Sequence, residues 1–205
     1  MLSFIFVVMV LFLIPGPAVL LTVSQTAQGG RKAGVITGVG IAVGDLLHTI
    51  AAVLGLSAIL MTSALAFEVV KYAGAAYLIF LGIKSVLEKS KNMKKPVTKK
   101  SNPAGSFRQA LLIELLNPKT ALFFLAFLPQ FVRSNGIPVV YQLLILGLTF
   151  VLMSILYTTM LAFLTSSIGN KLFSTKNSRF ARWQGKVVGI IYIGLGLQLV
   201  FQSQK

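Results

Sequence analysis

Apolar residues run in six long blocks along this chain, roughly 3–25, 35–61, 69–87, 107–131, 138–165 and 185–202, with polar residues gathered between them. A helix needs about 20 predominantly apolar residues to cross the hydrocarbon core of a bilayer. The six blocks meet or approach that length, the last being the shortest, and they predict an all-α integral membrane protein of six transmembrane helices. Charge is uneven in the connections. Arg31 and Lys32 follow the first block, six lysines between Lys89 and Lys100 follow the third, and Lys171, Lys176, Arg179 and Arg182 follow the fifth. The alternate connections hold Glu68 with Lys71, and Arg133. Lys and Arg collect in cytoplasmic loops, so the three basic connections are expected inside and both termini outside. The stretch from Ser90 to Ser106, rich in Lys and containing Pro96 and Pro103, reads as a solvated linker. The chain therefore reads as a single domain, 1–205, with three-helix halves at 1–88 and 107–205 joined by a basic cytoplasmic linker over 89–106.

Three helices is an odd number, so any structural repeat between the halves must be inverted across the membrane. Each half carries a matching mark. Leu13, Ile14, Pro15, Gly16, Pro17, Ala18, Val19, Leu20 lays over Leu116, Asn117, Pro118, Lys119, Thr120, Ala121, Leu122, Phe123, with a helix breaker at the centre of each. Interrupted helices in corresponding positions point to a transporter's binding site.

Composition sharpens the picture. The chain is 56% hydrophobic and 11% charged, against roughly 25% charged residues in ordinary soluble domains. A net charge of +15 would invite a nucleic-acid reading in a soluble protein, but here the cations lie in the connections, as topology requires, so no nucleic-acid partner is expected. The absence of Cys excludes disulfides, thiolate metal sites and a Cys nucleophile. Residues Met1 to Phe12 lack a basic start and a small-residue cleavage site follows nowhere near, so a cleaved signal peptide is not expected. Nothing resembles a phosphate-binding loop, a paired-histidine zinc motif or a nucleophile elbow, and no cofactor or enzymatic activity is expected.

The chemistry lies within the apolar blocks. Pro15, Gly16 and Pro17 should break the first helix and Pro118 the fourth, since proline cannot donate a backbone hydrogen bond. Irregular backbone at membrane depth survives only inside protein or beside a wet cavity. The half-helix after each break offers free N–H groups and a positive dipole end for a carboxylate; a packing kink is the plainer alternative. In the second block Gly34, Gly38, Ile41, Asp45, His48, Ala52 and Gly55 share one helical face. Asp45 falls near the midplane, where an ionisable group is functional by default. It is a candidate for proton exchange, for a substrate ammonium, or for a structural salt bridge. His48 is either a proton relay or a neutral packing residue. In the fourth block Glu114, Asn117 and Lys119 lie too deep to face lipid; Lys119 can pair with Asp45, with Glu114 or with a substrate carboxylate. Ser154, Tyr157 and Thr158 line a cavity or bond to neighbouring backbone.

These residues resemble the lysine exporter family, in particular its homoserine, threonine and leucine efflux branch. The similarity rests on IPGPAVLLTVSQTAQGGRKAG at 14–34, GVGIAVGDLLHTIAAVLGL at 38–56, KYAGAAYLIFLGIKSV at 71–86 and LLNPKTALFFLAFLPQF at 115–131, which cover most of the chain in order. The resemblance implies a six-helix exporter of neutral or small amino acids in the bacterial cytoplasmic (inner) membrane, driven by proton antiport and assembled as a homodimer. Its motif positions fall on Pro15, Gly16, Pro17, Gly38, Gly44, Asp45, His48, Asn117, Pro118 and Lys119. A metal-cation exporter of the same superfamily is the alternative. Hard cations need clustered oxygen ligands, whereas this chain has four scattered acids.

Overall fold

The computed structural model describes residues 1–13, 16–62, 64–87, 102–133 and 136–168, with scattered positions from 186 to 201. Among the described residues the secondary structure is entirely helical. Six α-helices succeed one another: α1 (Leu2–Leu13), α2 (Pro17–Thr62), α3 (Ala64–Leu87), α4 (Pro103–Leu115), α5 (Pro118–Leu122) and α6 (Val139–Ile168). A π-helical turn, Phe123–Phe127, and a 3-10 turn, Leu128–Phe131, continue α5.

Among the described residues two helices are long and apolar enough to cross a membrane, Pro17–Leu56 and Val139–Ser167, and a third span results if α4 and the stretch Pro118–Phe131, bent by 45°, count as one. Pro17–Leu56 also doubles back on itself. Leu21 and Ile41 share a buried cluster with Ala110, although about 20 residues of unbroken helix would hold them about 30 Å apart. The reversal sits at Gly30, with φ 72 and ψ −170, a conformation open essentially to glycine alone. Arg31, beside it, donates to the hydroxyls of Ser166 (3.2 Å) and Ser167 (3.1 Å) and lies over the Phe163 ring, fastening the reversal to the end of α6. The connection expected between the first two blocks is thus a one-residue kink rather than a loop. Most of the basic linker 89–106 and of the sixth block 185–202 lies outside the described residues.

The distribution of polarity is turned inside out, as a lipid solvent demands. Leu2, Leu54, Leu65, Leu116 and Phe201 are exposed, while Thr22, Gln25, Thr37, Asp45, Thr49, Glu114, Asn117 and Ser154 are buried. Three of the buried threonines are satisfied within their own helix, Thr22 by Ala18 O, Thr37 by Ala33 O and Thr49 by Asp45 O, a bond such side chains commonly make in helices. Close approach of backbones supplies the packing where hydrophobic driving force is absent. Gly34 and Gly38 turn toward Ala162 and Thr158 of α6, and Gly40 and Gly44 toward Phe107 and Glu114 of α4.

The π-helical turn has its own reason. Phe123, Phe124, Ala126, Phe127 and Leu128 are all buried, a wider face than a regular α-helix turns inward, and Pro129 removes the donor that Leu125 O would use. The rings pack Phe4 edge-on to Phe131 at 5.1 Å and Phe124 edge-on to Phe150 at 4.9 Å, each pair contributing about 0.5–1.5 kcal/mol beyond its buried area. This cluster clamps α1 and α6 about the stretch after α5 and so sets the neighbourhood of both helix breaks.

Candidate functional site

The carbonyl of Leu11 would ordinarily accept from the N–H of residue 15, but residue 15 is proline and has none. α1 stops at Leu13 and α2 starts at Pro17. Lys119 fills the gap from the other half of the chain, its Nζ donating to Leu11 O at 2.7 Å. Its side chain runs past Gly16, where an added methyl would lie 3.5 Å from Lys119 Cδ. The Gly16 and Lys119 positions laid over one another in the sequence therefore touch.

The second break is finished locally. Asn117 Oδ1 accepts from Lys119 N at 3.2 Å and Asn117 O accepts from Ala121 N at 3.1 Å. Pro118 occupies the first helical position, where a missing N–H costs nothing. The amide of Lys119 is therefore engaged, and the cationic group that reaches the site is the lysine's ammonium.

Opposite it stand two acids. Asp45 on α2 is 1% exposed and Glu114 in the last turn of α4 is 2% exposed. Gly44 brings them together, since a Cβ there would stand 2.7 Å from Glu114 Cβ. The Asp45 carboxyl has the Ser154 hydroxyl and the Glu114 side chain as hydrogen-bonding neighbours. Asn117 Nδ2 lies 3.3 Å from each Glu114 carboxyl oxygen. Asp45 Oδ2 is different. It is buried and makes no hydrogen bond, an arrangement native interiors avoid unless a ligand or water completes it.

These groups line one cavity with about 30 Å³ of room for water centres, enough for about two waters. Gly16, Asp45, Glu114, Asn117, Lys119, Ser154 and Tyr157 face it, and Phe12, Ile41 and Phe150 form its apolar wall. Phe12 stacks on Tyr157 at 5.4 Å. Pro17 and Pro118 are exposed and do not line it, and Pro15 lies outside the described residues. His48 stands behind the acids, its Nε2 3.1 Å from Glu114 O and its ring stacked on Phe124. A carbonyl partner makes Nε2 the protonated nitrogen. Thr158 bonds to Ser154 O at 2.8 Å. Among the described residues no three His, Cys, Asp or Glu side chains come together in a group able to hold a metal ion.

The sequence reading passed over a second polar layer. Gln25 Nε2 donates to Gln109 Oε1 at 3.0 Å and Ser106 Oγ donates to Gln25 Oε1 at 3.3 Å, joining α2 to α4 on the side of the Gly30 reversal. The available signal was two glutamines at the ends of apolar blocks, a weak one because interfacial polar residues are common there.

The family model for LysE type translocators matches residues 9–203. The chain is 34% identical over 97% of both lengths to the uncharacterized membrane protein YrhP of Bacillus subtilis (strain 168). It is 29% identical to the leucine efflux protein of Salmonella choleraesuis (strain SC-B67), covering 91% of this chain and 88% of that protein. No solved structure matches it.

Proposed function

The chain belongs to the LysE type translocators, multi-pass membrane transporters, and from that premise we propose that it exports neutral or small amino acids of the threonine, homoserine or leucine type by proton antiport. The observation that carries the reading is the buried, unpartnered Asp45 Oδ2 in one cavity with the Lys119 ammonium. A zwitterion has the complementary pair of charges. Its ammonium takes Asp45 Oδ2, its carboxylate takes Lys119 with Asn117 beside it, and its side chain lies against Phe12, Ile41, Phe150 and Tyr157. The apolar wall favours an uncharged side chain, and the leucine efflux relative supports the same class.

Room for about two waters is too little for an amino acid, so loading must widen the cavity. Support for the moving part comes from the bond between Lys119 and Leu11 O: a carboxylate is a stronger partner for an ammonium than a carbonyl, and drawing Lys119 away frees α1. The flanking charge pattern supports six passes in two inverted halves with both termini outside the bacterial cytoplasmic membrane. His48, bonded to a main-chain carbonyl, shapes the acid pair from behind.

The test is counterflow in proteoliposomes with radiolabelled leucine, threonine and homoserine. Wild-type protein should exchange at least one of them, and an imposed proton gradient should drive it uphill. Asp45→Asn, correctly inserted, should lose exchange on the order of a hundredfold, as removal of one partner from a buried charge pair does. Undisturbed counterflow by that variant would remove Asp45 from the site. Metal-dependent growth of a null strain without amino-acid sensitivity would favour the cation exporter instead.

A further inference from the structure

We propose that Asp45 and Glu114 form one acid pair that holds a single positive charge at a time, either a proton shared between the carboxyls or the ammonium of the amino acid. The inference rests on the export reading and adds Glu114 as the second half of the exchange site.

The pair is built across two elements. Asp45 comes from the arm of α2 after Gly30 and Glu114 from the end of α4, and the absence of a side chain at Gly44 lets α4 approach, since a Cβ there would stand 2.7 Å from Glu114 Cβ. Both are buried. Two carboxylates sharing so small a site cannot both ionise without large cost. The other groups facing them are few. α5 brings Lys119, α6 brings Ser154 and Tyr157, α2 itself adds His48 through Glu114 O, and α1 presents the Leu11 carbonyl to Lys119. Two negative charges and one ammonium leave one charge uncompensated, and a single proton on the pair makes the empty site neutral. The two carboxyls are unequal: Asn117 donates toward both Glu114 oxygens, which therefore act as acceptors, while Asp45 retains an oxygen with no donor, where the shared proton can sit.

A zwitterion adds no net charge, so the exchange turns on position: its ammonium takes the place of the shared proton at Asp45 Oδ2, its carboxylate draws on Lys119, and the displaced proton leaves to solvent. The balance is one protonated pair plus one zwitterion giving one loaded pair plus one proton. Run from the cytoplasmic side and reversed outside, this exchanges one proton inward for one amino acid outward.

The experiment measures protons directly. Purified wild-type protein in weakly buffered detergent solution, with a pH-indicator dye, receives L-leucine while binding is followed by calorimetry. The expected result is release of about one proton per leucine bound, with leucine Kd rising about tenfold for each pH unit lowered where the pair is protonated. Glu114→Gln should release no proton on binding leucine and should show a leucine Kd that no longer changes with pH over the range where the wild-type Kd changes about tenfold per unit, whatever its affinity, and Glu114→Asp should restore both. Wild-type binding without proton release overturns the proposal, as does release by Glu114→Gln equal to wild type. Should Glu114→Gln fail to fold, the wild-type proton count and Glu114→Asp decide. Absence of leucine, threonine and homoserine binding together overturns the export reading beneath it, a failure distinguishable because no ligand binds at all.

Discussion

The two helix breaks present the same backbone problem and solve it differently. At the break after Leu115 the chain supplies its own cap, with Asn117 bonded forward to the amide of Lys119 and proline placed where no N–H is needed. At the break after Leu13 the sequence offers only proline, glycine and aliphatic residues, and the freed Leu11 carbonyl is satisfied by Lys119 from 108 residues away. A locally capped break is rigid whatever happens around it. A break capped by a distant ammonium depends on that side chain staying where it is. The asymmetry leaves α1 held by a side chain from the other half of the chain and α5 held by its own cap.

The largest expected effect comes from removing the borrowed cap. Lys119→Met leaves a buried carbonyl without its donor, costing about 1–3 kcal/mol of stability, and deprives the substrate carboxylate of its cation. Counterflow should fall on the order of a hundredfold. Adding Pro15→Ala returns an N–H to the position Leu11 O requires. The double variant should regain thermal stability in detergent without regaining counterflow. Recovery of both, or of neither, would break the distinction between the two breaks. Asn117→Ala removes the local cap, worth about 1 kcal/mol at a helix start, together with the Nδ2 that donates toward both Glu114 oxygens. It should lower the melting temperature by a few degrees and counterflow by about tenfold, and Pro15→Ala should do nothing for it.

The breaks themselves were legible because the lack of an N–H in Pro15, Pro17 and Pro118 is a property of the residue, independent of fold. The burial of Asp45 and Glu114 and the half-burial of Lys119 were legible for a similar reason, since charges at membrane depth have nowhere else to go. Their pairing was not. Periodicity places Asp45 on a face of one helix and Glu114 on a face of another, and only the approach at Gly44 brings those faces together. The reversal at Gly30 was read as a loop because Arg31 and Lys32 between two apolar blocks look like a connection, whereas one residue in a conformation closed to other side chains is enough. The bond from Lys119 to Leu11 O was invisible altogether, for a carbonyl leaves no mark in the sequence.

Two glycines sharpen the comparison at smaller scale. Gly44→Ala places a methyl 2.7 Å from Glu114 Cβ and should force α4 outward at a cost of about 1–3 kcal/mol. Gly55→Ala meets nothing within 4 Å and should stabilise slightly through helix propensity, by up to about 1 kcal/mol. A thermal melt of each variant reads the difference, and equal melts would mean that the approach at Gly44 does not bear on the acid pair.

The smallest effect is expected where an unpartnered atom lies away from the cavity. Thr165 Oγ1 is, like Asp45 Oδ2, a buried side-chain oxygen without a hydrogen bond, but it belongs to the far end of α6 and does not line the cavity. Replacing a lone buried hydroxyl with an isosteric methyl removes a desolvation cost and breaks no bond. Thr165→Val should therefore leave counterflow unchanged and hold or raise stability by about 1 kcal/mol. A carboxylate oxygen left bare in a cavity beside an ammonium belongs to a different class, because ionisation makes its isolation far more costly than a hydroxyl's and a cationic ligand can relieve it. If Thr165→Val and Asp45→Asn impaired transport alike, an unsatisfied oxygen would carry no information about the site, and the zwitterion placed at Asp45 would lose its footing.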